Sequence, residues 1–184
     1  MKKLAIFSAF LGIVACNSQS QMKPLTGTAI IFMSKHGATE TVAKIIRDSL
    51  KNGNITIINL GNEKAPDISQ CSRVIIGGSI HMGKIQSKIR KYCNQNLEAL
   101  KNKELGLFLC CMSEGNEGLQ QFNNAYPEQL RQKAKSTLMA GYELHFDKMN
   151  FFEKFIMKKI TGGSTNVSRL NYNEINRFVN EMKK

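Results

Sequence analysis

A chain of 184 residues is long enough for one domain with a substantial core. It carries 26 Lys and Arg against 14 Asp and Glu, a net charge of +12, which favours anionic lipid or a carboxylate-bearing substrate as partner. Trp is absent, the lysines are scattered and no nucleic-acid module is recognisable, so a nucleic-acid partner is not expected.

The front of the chain stands apart. Lys2 and Lys3 precede an apolar stretch, residues 4–15, too short to span a bilayer as a permanent helix. It ends in Ile13-Val14-Ala15-Cys16, and the polar tract Asn17-Ser18-Gln19-Ser20-Gln21 follows. This is the pattern of a secretory signal. It resembles a bacterial lipoprotein signal, with residues 1–15 removed, Cys16 lipidated and residues 16–27 forming a polar tether. The location expected from it is a lipid-anchored, membrane-associated protein of the cell envelope. A start at Met22 would place the domain on the cytoplasmic face instead.

The first predicted strand, residues 28–34, runs into Ser34-Lys35-His36-Gly37-Ala38-Thr39, and a helix is predicted over residues 40–51 from Val42, Ile45, Ile46 and Leu50. A strand–turn–helix of this kind brings hydroxyls, free N–H groups and a helix N-terminus to one point, which binds phosphate. The turn lacks both G-x-x-x-x-G-K-[ST] and G-x-G-x-x-G, which excludes the nucleoside-triphosphate loop and the dinucleotide fingerprint. A hydroxyl-rich loop with one glycine suits a dianionic monophosphate such as that of FMN. The same residues also make an ordinary turn with a capping threonine.

Further strands are predicted over residues 55–60, 74–78, 105–112 and 138–146. Ile85, Ile89, Cys93, Leu97 and Leu100 mark one helical face, residues 129–135 another helix, and Ile175, Phe178, Val179 and Met182 a closing one. A polar Asn/Glu/Gly-rich loop is expected after residue 112. Five strands alternating with helices predict an α/β three-layer sandwich, with a parallel sheet, helices on both faces and right-handed crossovers. Ligands in such sheets sit at the carboxyl ends of the strands. Residues 28–184 form this single domain.

Between the last strand and the last helix, Phe151, Phe152, Phe155, Ile156 and Ile160 share a helical face, with Lys154, Lys158 and Lys159 elsewhere on its surface. Such a helix either buries its apolar stripe in the core or lies on an anionic membrane. Cys71, Cys93, Cys110 and Cys111 have no C-x-x-C spacing, so a metal or thioredoxin-type site is not expected. Cys110 and Cys111 fall in an apolar strand and read as small buried hydrophobes. His36, His81 and His145 are scattered and form no catalytic constellation; no metal site and no protein nucleophile is expected.

Three loops thus fall at strand carboxyl ends: residues 34–39, residues 77–84 (Gly77-Gly78-Ser79-Ile80-His81-Met82-Gly83-Lys84), and the loop from Ser113. The arrangement resembles the flavodoxin family, with strand order 2-1-3-4-5. Within it, Val74-Ile75-Ile76-Gly77-Gly78-Ser79-Ile80-His81-Met82-Gly83-Lys84 and the aromatic, basic segment ending in Thr161-Gly162-Gly163 are similar to the menaquinone-dependent protoporphyrinogen oxidases. The loop after the fourth strand is short, whereas those oxidases carry a long insertion there.

The resemblance implies FMN, with Ser34, Lys35, His36, Gly37, Ala38 and Thr39 at its phosphate, and Ser79, Ile80, His81, Met82, Gly83 and Ser113 flanking the ring. Gly77 and Gly78 would permit a tight turn and close approach. His81 would carry a proton or simply pack; Lys84 or Lys88 would meet substrate carboxylates. Two functions follow from it: an FMN-dependent oxidoreductase passing electrons from protoporphyrinogen, a tetrapyrrole, to a quinone, or a membrane-tethered electron carrier for a redox partner protein.

Overall fold

Apolar runs buried on both faces make the centre of the sheet, the pattern expected of parallel strands sandwiched between helices. The computed structural model describes residues 24–51 and 53–184. The expected signal and Cys16 lie outside the described residues, as does most of the tether. In chain order the elements are β1 (Gly27–Phe32), α1 (Ala38–Leu50), β2 (Ile55–Asn59), β3 (Cys71–His81), β4 (Lys84–Ile85), α2 (Ser87–Gln95), α3 (Leu97–Lys101) and β5 (Glu104–Cys110). Then follow α4 (Gly115–Ala125), α5 (Glu128–Lys133), β6 (Ser136–Met139), β7 (Gly141–Leu144), a 3-10 turn (Phe146–Lys148), α6 (Phe151–Thr161), β8 (Val167–Leu170) and α7 (Tyr172–Lys183).

The main sheet has the order β2-β1-β3-β5-β6, all parallel, with β4 added antiparallel to the end of β3. Once β4 is set aside, this is the expected 2-1-3-4-5. Alternate residues of each strand feed opposite cores. Ala29, Ile31, Val74, Ile76, Leu107 and Leu109 face α2–α5, where Ile89, Tyr92, Cys93, Phe122 and Leu130 close the first core. Ile30, Phe32, Ile75, Phe108 and Cys110 face the other way, onto Val42 and Ile46 of α1 and Phe178 and Met182 of α7. Each large aliphatic side chain so buried is worth roughly 1.5–3 kcal/mol, and the order of the sheet rests on them.

Five expectations change. The predicted helical face from Ile85 to Leu100 is divided, with Ile85 in β4 and the rest split between α2 and α3. The last predicted strand is broken: at Gly141 (φ 79) the chain leaves the main sheet after Ala140, and β7 pairs antiparallel with β8 as a separate ribbon. The third strand runs to His81, so Ser79, Ile80 and His81 are strand and not loop. The polar segment after β5 folds as α4, because Phe122 and Ala125 bury against the first core. The core alternative for α6 fails: none of its residues is buried. Cys71, Cys93, Cys110 and Cys111 are all buried free thiols.

Candidate functional site

The carboxyl ends of β1 and β3 meet where the sheet's strand order reverses, and the phosphate-type loop lies there. Its geometry is set by short local bonds. Ser34 Oγ accepts the Gly37 N–H at 3.1 Å. Asn59 Oδ1, at the end of β2, accepts the N–H groups of Ser34 at 3.3 Å and Gly61 at 2.9 Å, joining the ends of two strands. Helix α1 starts at Ala38 with Gly37 as N-cap, and no side chain caps it. The capping-threonine alternative therefore fails, and the first-turn N–H groups stay available to an anion. Thr39 lies inside that first turn, 1% exposed, and its Oγ1 has no hydrogen-bond partner among the described residues. The thiol of Cys110, a weak acceptor, lies alongside, its pKa pushed up to about 12 by burial.

The loop's charges are already engaged by a distant segment. Glu153, in the first turn of α6, ion-pairs with Lys35 and takes His36 Nε2 at 3.1 Å on its other oxygen. Asn150 holds that carboxylate in place: its side chain accepts the Glu153 N–H at 2.9 Å, and its own N–H donates to Glu153 Oε2 at 3.0 Å. This reciprocal capping box fixes the helix start. Lys148 Nζ and the His145 ring stand over Gly37, 3.2 Å and 3.5 Å from where a Cβ would be. The His81 ring centroid is 6.2 Å from that of His36. The three histidines, scattered in sequence, thus converge on one loop. Among the described residues, no group of three or more His, Cys, Asp or Glu could hold a metal.

Burial lowers the His36 pKa from its ordinary value; Glu153 opposes this, while Lys35, His145 and Lys148 add to it. The Lys35 ammonium is the main cause holding the Glu153 carboxyl below the usual range. The neutral form of His36 is therefore favoured near pH 7, and the loop's charge comes chiefly from lysine.

The second expected loop is rearranged. The tight turn is Met82-Gly83, both in the left-handed region, joining β3 to β4. Met82 is fully exposed. Gly77 and Gly78 serve packing: a Cβ at Gly77 would stand 1.9 Å from the Phe108 ring, and one at Gly78 would stand 2.7 Å from Ile85. Ile80 packs on the first core, so its side chain does not line the site. The Ser79 N–H is taken by Gln86 Oε1 at 2.8 Å, and Gln86 Nε2 donates to Ser79 Oγ at 2.6 Å and to the Met33 carbonyl at 3.1 Å. Ser79 Oγ also lies 3.1 Å from His81 Nε2. That leaves Met82 and Gly83, with the exposed His81 ring, as the free edge.

Ser113 bonds locally, accepting Gln121 Nε2 at 2.9 Å, and reaches the site edge through strand order alone. Lys88 donates to the carbonyls of Leu60 and Gly61, so it braces the end of β2 and is not free for a substrate; Lys84 is exposed. Asn59, Gln86, His145, Lys148 and Glu153 complete the site beyond the residues expected from sequence. A cleft of about 250 Å³ lies beside the Met82-Gly83 turn, lined by Gly83, Lys84, Arg90, Gln121 and Asn124. Beside the phosphate-type loop, His145 and Lys148 stand over Gly37, and Glu153 pairs with Lys35 and His36. No described helix is long and apolar enough to cross a membrane.

The family model described as a flavodoxin domain matches residues 29–169, more than half of the chain. No curated protein matches it. Among solved structures, the Flv1 flavodiiron core from Synechocystis sp. PCC6803 is similar at 22% identity and a TM-score of 0.52, over 63% of this chain and 30% of that one. A short-chain flavodoxin associated with a non-canonical PDU bacterial microcompartment is similar at 14% identity and a TM-score of 0.50, over 86% of this chain and 97% of that one. The Fusobacterium nucleatum flavodoxin bound to flavin mononucleotide has 14% identity and a TM-score of 0.40, over 63% and 70%. The first two likenesses show the shared fold.

Proposed function

The chain belongs to the flavodoxin domain family, and from that premise we propose that it is an electron-transfer flavoprotein holding FMN at the Ser34–Thr39 loop. One observation carries the reading. A buried hydroxyl, Thr39 Oγ1, with no partner among the described residues beyond the weakly bonding Cys110 thiol, sits in the uncapped first turn of α1, beneath a loop ringed by Lys35, His36 and Lys148. A buried orphan hydroxyl costs about 1–3 kcal/mol, and a phosphate oxygen is the acceptor this donor set fits.

FMN, when bound, supplies the redox chemistry; the protein supplies binding, orientation and electrostatics. Ser34 and Thr39 would hold the phosphate with the first-turn N–H groups, and Lys35 and Lys148 would neutralise it. Met82 and Gly83 would flank the ring through backbone groups. His81, its pKa lowered by desolvation, would present a neutral imidazole bonded to Ser79 at the ring edge.

The test is to purify residues 24–184, titrate FMN and riboflavin by quenching of flavin fluorescence, and record the visible spectrum. Tight FMN binding with much weaker riboflavin binding is expected. Equal affinities, or none, would sink the reading.

The finer reading is that electrons arrive from a reduced tetrapyrrole and leave to a membrane quinone. Residues 74–84, residues 151–163 and the exposed Lys84 support it. The carrier alternative, with a redox partner protein, is supported by the short link between β5 and α4, which has no room for a substrate-covering insertion. FMN-loaded protein given protoporphyrinogen and a menaquinone analogue separates them. Porphyrin formation above the flavin-free blank identifies the oxidase. Its absence, with rapid electron transfer to a protein acceptor, identifies the carrier. Envelope anchoring through a lipid on Cys16 is part of the proposal; mass spectrometry of the mature N-terminus tests it.

A further inference from the structure

Helix α6 presents an apolar face that no described residue covers. Phe151 is 88% exposed, Phe152 69% and Ile160 61%, and Phe155 and Ile156 are exposed beside them. An ordinary amphipathic helix buries such a stripe against its own core. This one is closed at both ends without doing so, by the Asn150–Glu153 capping box and by Gly162 in the left-handed region at its C-cap.

We propose that this face docks on an anionic phospholipid surface. Charge is the first reason. Lys154, Lys158 and Lys159 are exposed, and the helix's one carboxylate, Glu153, is already paired with Lys35 and His36. Nothing on the helix therefore opposes a negative surface. The second reason is where the cations lie. The Lys159 ammonium sits 4.9 Å over the Phe155 ring, one turn on from it and within the aromatic face rather than elsewhere on the surface. A long aliphatic stem that covers apolar surface and ends in a cation is the side chain expected at headgroup level. The third reason is length: 11 residues span roughly 16 Å, too short to cross a bilayer and suited to lying in its interface. A second copy of the chain is a poor occupant, since two such faces would bring lysines together on a protein of net charge +12.

The consequence concerns the site. Glu153 joins the first turn of α6 to the Ser34–Thr39 loop, so a docked helix holds that loop beside the lipid headgroups. The proposal does not rest on the flavin reading, and its test uses no flavin.

Both cores close within residues 25–182, so residues 24–184 fold by themselves and leave out the leader, which would bind lipid on its own account. This domain is mixed with phosphatidylcholine vesicles, with or without phosphatidylglycerol, and sedimented. It is expected to pellet only with the anionic vesicles and to be released by salt. Each lysine near an anionic surface is worth about fivefold in partition, so K154E/K158E/K159E should lower binding by about a hundredfold or more. F151S/F155S/I160S should lower it at least tenfold while circular dichroism stays unchanged.

Because the chain has no Trp, F152W supplies a second readout that does not depend on how the triple variants fold. Its emission should shift to the blue with anionic vesicles alone. Sedimentation that ignores lipid charge, a triple apolar variant that binds like wild type, or an unshifted F152W would overturn the proposal. So would capture by poly-glutamate without vesicle binding, which would assign the face to an acidic protein, or a dimer that F151S/F155S/I160S disperses.

Discussion

His36 Nε2 and Glu153 Oε2 lie 3.1 Å apart although 117 positions separate them in the chain. The contact places a carboxylate beside the Lys35 cation of the loop proposed to hold the phosphate. Glu153 is positioned for this by its own helix start, through Asn150. It therefore acts as an internal counter-ion, and it links the exposed helix to the sheet's carboxyl edge.

Removing that counter-ion is expected to strengthen anion binding. In Glu153→Gln the Lys35 ammonium and the His36 ring are released from a full negative charge. A charge-assisted hydrogen bond from either group to the phosphate is worth about 1.5–3 kcal/mol, so FMN affinity should rise about tenfold or more, with riboflavin affinity unchanged. Fluorescence titration of both flavins measures it. A loss of FMN affinity would instead mean that Glu153 orients the loop for its ligand.

His36 makes stability depend on pH in a defined direction. Burial holds its folded pKa below the unfolded value of about 6.5. Between the two values the unfolded chain binds more protons, so stability rises with pH through that window. The contribution is fully present above about 6.5 and is lost as pH falls through the folded pKa. Urea midpoints taken across this range should drop on acidification, and His36→Gln should reduce the slope to the part contributed by His81, whose pKa desolvation also lowers. Glu153 behaves differently: its depressed pKa gives stability above the unfolded value of about 4.5, lost only as pH falls through its lower folded pKa. A slope in His36→Gln as steep as in wild type would count against the assignment.

What could be read from sequence follows from what each feature depends on. β1, β3 and β5 were legible because strands buried on both faces are continuous apolar runs. α4 was not, because Gly115, Asn116, Gly118, Asn123 and Asn124 are weak helix formers, and only the burial of Phe122 and Ala125 offsets that weakness. The break at Gly141 hides inside an apolar alternation that looks like one strand. In the site, Ser34–Thr39 carries a local signature, a polar turn between an apolar strand and a helix. Asn59, Gln86 and Glu153 have no local signature, since each acts by joining segments that strand order brings together. Gly77 carried a signature that pointed the wrong way: its missing side chain makes room for Phe108, not for a ligand.

That last point has a direct test. Gly77 pairs with Phe108 across β3 and β5, and Phe108 is fully buried. In Gly77→Ala the new methyl would stand 1.9 Å from the ring, so ring or backbone must shift. A loss of about 3 kcal/mol in urea unfolding is expected, at the upper end for overpacking. Adding Phe108→Leu should recover part of it, giving a favourable coupling energy in the double-mutant cycle. If Gly77→Ala left stability intact and weakened FMN binding alone, the close-approach role expected from sequence would be restored.

Thr39 separates structure from function most cleanly. Valine matches threonine in shape and removes only the hydroxyl, which here is buried and has no partner among the described residues beyond the weak Cys110 thiol. Without ligand, Thr39→Val should therefore be as stable as wild type or more stable by about 1 kcal/mol, since a desolvated polar group is deleted. With FMN present the sign reverses. The lost donor is one the phosphate would satisfy, so FMN affinity should fall about tenfold. Riboflavin, which lacks the phosphate, should bind both proteins alike. Urea midpoints and paired flavin titrations read the two effects separately. A variant that loses stability without ligand would show that the hydroxyl already has a structural partner in the folded domain. One that keeps full FMN affinity would move the phosphate away from the first turn of α1.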